Sequence, residues 1–110
     1  PSDFKFLARI YAWIGDAKNL NLAISILKQG LKLYPYYWKY NFTISTIYLQ
    51  HKYLDEALQE ALEAKKKAPW RESIYFLLSA IFKGKGDIAN AIKYEQEAVK
   101  IKNNKQKIYA

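Results

Sequence analysis

Side chains that perform most enzymatic chemistry are scarce in this chain. It contains no cysteine, so thiol catalysis, disulfides and cysteine-based zinc sites are excluded, and it contains a single histidine, His51. A catalytic or metal-binding His51 would need an orienting carboxylate and a nucleophile or further ligands, and the sequence offers neither. A glycine-rich phosphate loop and a paired-carboxylate pattern are also absent from the sequence. The sequence therefore predicts a protein without catalytic activity, cofactor or metal, in which His51 is an ordinary surface residue.

The chain is strongly basic. The 18 lysines and arginines outnumber the 10 acidic residues and give a formal net charge of +8. All of these cations except Arg9 and Arg71 are lysines. Because arginine suits bidentate recognition of phosphate better than lysine does, a dedicated nucleic-acid surface is not favoured. A solvated, lysine-rich surface is the preferred interpretation, and an acidic partner or an anionic lipid surface is the alternative.

Length and composition predict one helical domain. The 110 residues are enough for a single hydrophobic core, so residues 1–110 are expected to form one domain. Three prolines and four glycines leave long uninterrupted stretches, which is typical of helices. The longest nearly apolar runs, such as residues 75–82, are far shorter than the ~20 residues that a membrane-spanning helix needs. The sequence thus predicts an all-α domain without a transmembrane segment, and it does not indicate a cellular compartment.

Residues of similar type recur at one fixed distance along the sequence. This distance equals the one from Pro35 to Pro69. The same interval relates three sets of small or branched aliphatic residues, which are Ala23, Ala57 and Ala91, then Ile24, Leu58 and Ile92, then Gly30, Ala64 and Ala98. Agreement between so many positions indicates an internal repeat. The predicted units span approximately residues 1–37, 38–71 and 72–104.

Each unit is predicted to contain two amphipathic helices joined by a turn. The second helices are expected over residues 19–33, 55–67 and 87–101, with Asp87 as an N-cap. Pro35 and Pro69 end the first two of them, because proline and the residue before it resist helical conformation. Asn103 stands in the corresponding place in the third unit and is predicted to end that helix. Residues 105–110 would then start a capping helix or a further repeat.

This pattern resembles the tetratricopeptide repeat (TPR) family. The resemblance is carried by Asp55-Glu56-Ala57 with Ala64 and Pro69, and by Gly86-Asp87 with Ala91 and Ala98. Three features depart from the family pattern, namely three extra residues between Gly15 and Ala23, Lys52-Tyr53 in place of Gly-Asp, and the missing third proline. The resemblance covers nearly the whole chain. It implies a right-handed α-solenoid of three helix-turn-helix repeats, followed by the start of a C-terminal capping helix.

The resemblance also implies where a ligand would bind, because in this family the first helix of each pair lines a concave groove. The matching positions in this chain are Lys5, Phe6, Arg9, Trp13, Lys39, Phe42, Thr46, Leu49, Gln50, Phe76, Ala80 and Lys83. A groove with aromatic walls and scattered cations suits a peptide or helical segment that carries hydrophobic anchors and acidic residues. Each of these aromatic residues has the alternative of packing against the next unit instead of facing the groove.

The expected function is that of a non-catalytic protein–protein interaction scaffold, which binds a peptide or helical segment of a partner in the concave groove. One alternative is a structural segment of a longer TPR solenoid in a multiprotein assembly. A less favoured alternative is an electrostatic binder of RNA or anionic membrane. The turns after Pro35 and Pro69 carry the aromatic residues Tyr36 and Trp70, which either staple the next helix or form an exposed edge. An exposed Trp70 would favour the edge.

Overall fold

All regular secondary structure in the described part of the chain is α-helical. The computed structural model describes residues 4–9 and 17–109, with the side chains of residues 4–9 and 18–105. The helices are α1 (residues 4–9), α2 (Ala17–Leu33), α3 (Trp38–Gln50), α4 (Leu54–Lys67), α5 (Glu72–Gly84) and α6 (Ile88–Tyr109). The predicted all-α fold is confirmed. The helices predicted over residues 19–33 and 55–67 agree with α2 and α4 to within two residues at each end.

The helices pack in neighbouring pairs along the chain. The most extensive contacts join α3 to α4 and α5 to α6, while α2 contacts α3, and α4 contacts α5, over smaller areas. The connections from α2 to α6 are only three or four residues long, so each helix reverses the direction of the one before it. The shortest principal dimension of the molecule is 20 Å, about two helix diameters. The helices therefore form a slab two layers thick.

The contact between paired helices is the same in the second and third units. The hydroxyl of Ser45 donates a hydrogen bond of 2.6 Å to the carbonyl oxygen of Ala57. Ser79 donates an equivalent bond of 2.7 Å to Ala91, and all four residues are buried. Ala8 matches these serines in the first unit and is also fully buried. Small side chains at these positions allow the paired backbones to approach closely.

The turns inside the second and third units also adopt the same conformation. Lys52 has a φ angle of 64°, and Gly86, at the equivalent position of the third unit, has a φ angle of 78°. The backbone N–H of Tyr53 donates to the carbonyl of Tyr48 at 2.9 Å, and a bond of the same length links the matching residues of the third unit. The Lys52-Tyr53 turn thus differs in sequence from the Gly86-Asp87 turn. Both turns have a left-handed backbone conformation at the first of these residues and the same backbone hydrogen bond at the second.

The hydrophobic core consists of two clusters that share α3. The first cluster contains buried residues of α1, α2 and α3, including Leu27, Tyr40 and Ile44. The second contains buried residues of α4 and α5, and Trp38 and Phe42 of α3 pack against it. Because α3 is covered on two sides, its buried residues include polar as well as apolar side chains. This position makes α3 the element that joins the first unit to the third.

The start of α6 follows the prediction, and its end does not. The backbone N–H of Asn90 donates to the Asp87 carboxylate at 3.2 Å, which confirms Asp87 as an N-cap. The prediction that the helix ends at Asn103 is wrong, because α6 continues to Tyr109. Asparagine keeps its backbone N–H and lacks a ring, so it weakens a helix by less than about 1 kcal/mol and does not break it as proline does. The segment over residues 105–109 is therefore a continuation of α6.

Candidate peptide-binding face

The first helices of the three predicted units lie side by side. The ring of Phe4 in α1 meets the ring of Tyr40 in α3 edge to face, with centroids 6.1 Å apart. α3 also contacts α5 directly. Residues at equivalent repeat positions therefore follow each other across these helices, as Lys5, Phe42 and Phe76 do. We call the partly or fully exposed side chains of α1, α3 and α5 the first-helix face.

Three cations from two helices converge on the first-helix face. Partial burial, together with repulsion from Lys39 and Arg9, lowers the pKa of the Lys5 ammonium below its ordinary value. Arg9 is exposed, and Lys5 and Lys39 are half-buried. Among the described residues, none of the three forms a salt bridge with a carboxylate. No described carboxylate therefore pairs with these cations, and their charge would attract an acidic group.

The aromatic residues of the first-helix face differ in exposure. Phe6 is 67% exposed and Phe76 is 40% exposed. Phe42 is half-buried against the second core cluster and meets the ring of Trp38 edge to face at 5.7 Å. Phe76 is therefore the aromatic residue of α5 that a ligand can reach, whereas Phe42 contributes in part to the core.

The remaining predicted positions of the first-helix face also differ in exposure. Gln50, Ala80 and Lys83 are at least partly exposed, and Leu49 is half-buried against the second cluster. The hydroxyl of Thr46 donates to the carbonyl of Phe42 in its own helix, at 2.9 Å. This hydroxyl proton is thus already used, and Thr46 offers a ligand only its acceptor lone pairs.

Two predicted positions need separate description. Trp13 lies outside the residues that the structure describes. Phe6 is exposed, but the residues at the same position in the later units, Thr43 and Leu77, are buried. The exposure of Phe6 is therefore a property of the first unit alone, and it is not repeated along the face.

A polar bridge that the sequence did not indicate joins α3 to α4. The amide of the buried Asn41 donates to the carboxylate of Glu60 at 3.1 Å and accepts from the ammonium of Lys67 at 2.7 Å. Its donor and acceptor groups are thus both paired inside the protein. Burial lowers the pKa of Lys67, and the nearby carboxylates of Glu63 and Glu60 oppose that shift. No sequence pattern would have identified this bridge, because its residues are separated by 19 and 26 positions.

A second contact missing from the prediction places Arg71 against Trp38. The guanidinium carbon of Arg71, in the turn before α5, lies 5.3 Å from the centre of the Trp38 ring. The ammonium of Lys39 also lies near this ring, at 5.9 Å. The Arg71 contact packs the start of α3 against the turn that joins the second unit to the third. The sequence signals for this contact were Trp38, shortly after Pro35, and Arg71, shortly after Pro69.

The described residues contain no arrangement typical of a metal site or a membrane span. No group of three or more His, Asp or Glu side chains among them is placed to hold a metal ion. His51 caps the C-terminus of α3 through its backbone. Within the same residues, no helix is both long enough and apolar enough to cross a bilayer.

In sequence, the chain matches no model of a known protein family, and no curated protein matches it significantly.

Proposed function

We propose that this chain is a non-catalytic scaffold that binds a peptide or helical segment of a partner protein on its first-helix face. The observation that carries the proposal is the convergence of Lys5, Arg9 and Lys39, without a described carboxylate partner, on a face that also exposes Phe76. The proposed architecture is a right-handed, TPR-like solenoid in which this face is concave. The recurrence of the serine hydrogen bonds and of the left-handed turns at the interval of the sequence repeat supports such an architecture.

The face divides recognition between two parts. Phe76 offers an apolar surface on α5, where a ligand side chain could bury the exposed part of the ring. Lys5, Arg9 and Lys39 lie towards α1, where carboxylates of the ligand would be attracted. A ligand that satisfies both parts carries a hydrophobic anchor and, at some distance along its chain, one or more acidic residues. Because α3 packs directly against α5, the distance between the two parts is set by the fold, and the spacing in the ligand should be selective.

The proposal can be tested with peptides selected from a random display library on the intact chain. The selected sequences should be enriched in aromatic or large aliphatic residues and in Asp and Glu. Phe76→Ala should weaken binding of such a peptide by about tenfold or more, because an exposed aromatic anchor is removed. Lys39→Glu should weaken it further as the ionic strength decreases, because repulsion of the acidic residues is then less screened.

A matched control for the charge reversal is Lys28→Glu. Lys28 is exposed on α2, a second helix, so the net charge changes equally but away from the first-helix face. Circular dichroism should show unchanged helicity in all three variants. Equal binding by Lys39→Glu and Lys28→Glu, together with normal binding by Phe76→Ala, would contradict the proposal. Phe42→Ala is a poorer test, because it also removes packing against Trp38 and the second core cluster.

The alternative, a structural segment of a longer solenoid in an assembly, is favoured by the outer surface of α6. Ile24 is buried and Leu58 is half-buried, whereas Ile92 at the same repeat position is 48% exposed. Ile88 and Val99 are also exposed on α6. Ile92 and Val99 line a shallow depression of about 620 Å³ together with polar residues of the same helix. A further helix that packs here would bury this apolar surface as α3 and α5 bury that of α2 and α4.

Photo-crosslinking distinguishes this alternative. A crosslinking amino acid at position 92 should be joined to a helical segment in a native extract, whereas the same amino acid at position 59, exposed on α4, should not. If position 92 yields no product beyond that of position 59, the surface of α6 stays open and the alternative is wrong.

A further inference from the structure

The two turns that join successive units lie at one edge of the molecule. These turns, residues 34–37 and 68–71, connect α2 to α3 and α4 to α5. Since successive helices reverse direction, both turns are on the same edge, and the stacking of Arg71 over Trp38 places them next to each other. We call this edge, comprising residues 32–39 and 65–72, the proline edge.

Apolar and aromatic side chains project from the proline edge. Tyr36 is 89% exposed, and Trp70, at the equivalent position of the next turn, is 57% exposed. Leu33 and Tyr34 are exposed beside Tyr36, and the turn forms a shallow depression of about 420 Å³. Of the two interpretations drawn from the sequence, a staple and an exposed edge, the exposure of Trp70 favours the edge. Large apolar groups repeated at one edge mark an interaction surface.

The same edge is strongly basic. It contains six cations, namely Lys32, Lys39, Lys65, Lys66, Lys67 and Arg71. Glu72 is the single acidic residue within these ranges, and its carboxylate pairs with Lys105 at 2.5 Å. Just outside them, Glu63 pairs with Lys66 at 3.2 Å, and the other five cations form no salt bridge among the described residues. The opposite edge, around residues 51–53 and 85–87, combines lysines with Asp55, Glu56 and Asp87 and has no such excess. The positive charge is therefore concentrated where the aromatic side chains project.

We propose that the proline edge docks on the surface of an anionic phospholipid bilayer. Tyrosine and tryptophan prefer the boundary between lipid headgroups and acyl chains, because one end of each side chain is apolar and the other is polar. Leu33 and Pro35 add apolar surface that can enter the same layer. The lysines around them attract anionic headgroups. Shallow insertion of the turns and electrostatic attraction thus act on the same edge.

The chemistry of the edge suits lipid better than nucleic acid. The edge contains a single arginine, Arg71, among five lysines, and arginine is the residue whose geometry suits bidentate contacts with phosphate. The surrounding lysines are point charges, which attract a diffuse anionic surface without requiring a fixed geometry. Lys39 belongs to both surfaces, whereas Lys5, Arg9 and Phe76 lie outside the proline edge, so a membrane-bound molecule could still bind a peptide. The inference does not rest on the proposed function, because Tyr36 and Trp70 lie outside the first-helix face.

The test uses the intact chain and phosphatidylcholine vesicles with and without phosphatidylserine. The chain should sediment with the vesicles that contain phosphatidylserine, and an increase in salt should weaken the binding. The Tyr36→Ser, Trp70→Ser double variant should bind at least about tenfold more weakly, because two aromatic side chains no longer insert. Phe76→Ala, which changes an exposed aromatic residue outside the edge, should bind these vesicles normally. Circular dichroism confirms that both variants are folded.

Tryptophan fluorescence gives a second measurement of the same event. Emission should shift to shorter wavelength on vesicles with phosphatidylserine, and Trp70→Phe should keep most of the binding but lose most of the shift. Normal vesicle binding by the double serine variant would overturn the proposal, as would the absence of binding at low salt. A single-stranded RNA that binds more tightly and displaces the vesicles would also overturn it, since nucleic acid would then be the occupant.

Discussion

Lys52 and Gly86 show how one backbone conformation is supported by two different residues. Both have positive φ angles at equivalent turns, but only glycine adopts this conformation without repulsion between its side chain and the backbone. Lys52 is exposed and makes no side-chain hydrogen bond among the described residues. The second unit therefore has a strained turn where the third unit has a relaxed one.

Replacement of Lys52 by glycine should stabilise the fold. We expect Lys52→Gly to raise the free energy of unfolding by about 0.5–1 kcal/mol, because relief of the left-handed strain exceeds the added entropy of the unfolded chain. Gly86→Ala should lower it by about 1 kcal/mol, since the new Cβ would meet no neighbouring atom and only the backbone is strained. Urea denaturation measures both changes. If Lys52→Ala stabilises the chain as much as Lys52→Gly does, relief of the left-handed backbone strain is not the cause of the stabilisation.

The N-cap of α6 should make stability depend on pH in the acidic range. Hydrogen bonds from the Asn90 side chain and backbone hold the pKa of the Asp87 carboxyl below its ordinary value of 3.8. A lowered folded-state pKa contributes stability at neutral pH, and this contribution is lost as the pH falls below about 4. Asp87→Asn keeps a capping oxygen but cannot titrate. Thermal melts should show wild type losing more stability than this variant on acidification. Equal losses of stability in wild type and variant would indicate that Asp87 does not contribute to the pH dependence.

At the scale of the helices, the proline positions and the small residues were predictable from sequence, whereas the surroundings of individual side chains were not. Pro35 and Pro69 act locally, so the ends of α2 and α4 followed from them. Gly30 was recognised as one of a series of small residues, but the structure supplies the reason. A Cβ at this position would lie 2.7 Å from the ring of the buried Tyr40. That contact depends on how α2 and α3 pack, which no local pattern records.

The candidate face illustrates the same limit. Spacing placed Phe42 and Phe76 at equivalent positions, but one is half-buried and the other exposed, because Trp38 lies beside Phe42. The buried Asn41, held by Glu60 and Lys67, had no sequence signal at all. Periodicity predicts which face of a helix is apolar, but it does not predict which side chains of the neighbouring helix reach it.

The hydrogen bonds of Ser45 and Ser79 should contribute equally to the pairing of their helices. Ser45→Ala and Ser79→Ala each remove one buried hydrogen bond and should each lower the free energy of unfolding by about 1 kcal/mol. Because the two bonds lie in different units, the effects should add in the double variant. Urea denaturation of the three variants checks this. Unequal losses, or a double variant no worse than either single one, would show that the units are not equivalent.

At the scale of the whole molecule, different surfaces carry different chemistry. The two-layer slab leaves its helix sides and helix ends open to different partners. The first-helix face combines an exposed Phe76 with cations that form no salt bridge in the described part of the chain, while the proline edge combines Tyr36 and Trp70 with lysines. Because α3 belongs to both core clusters, it connects the units on which the first-helix face is built. A scaffold with these surfaces can hold one partner along its helices while its edge contacts another surface.

Nuclear magnetic resonance mapping of a selected peptide on the isotope-labelled chain would locate the peptide-binding site. We expect the largest chemical-shift changes on α3 and α5, at residues such as Lys39, Phe76 and Lys83, and little change at Lys28 and Lys93 on the second helices. Changes concentrated on α2, α4 and α6, or at Tyr36 and Trp70, would contradict the assignment of the first-helix face as the peptide-binding site.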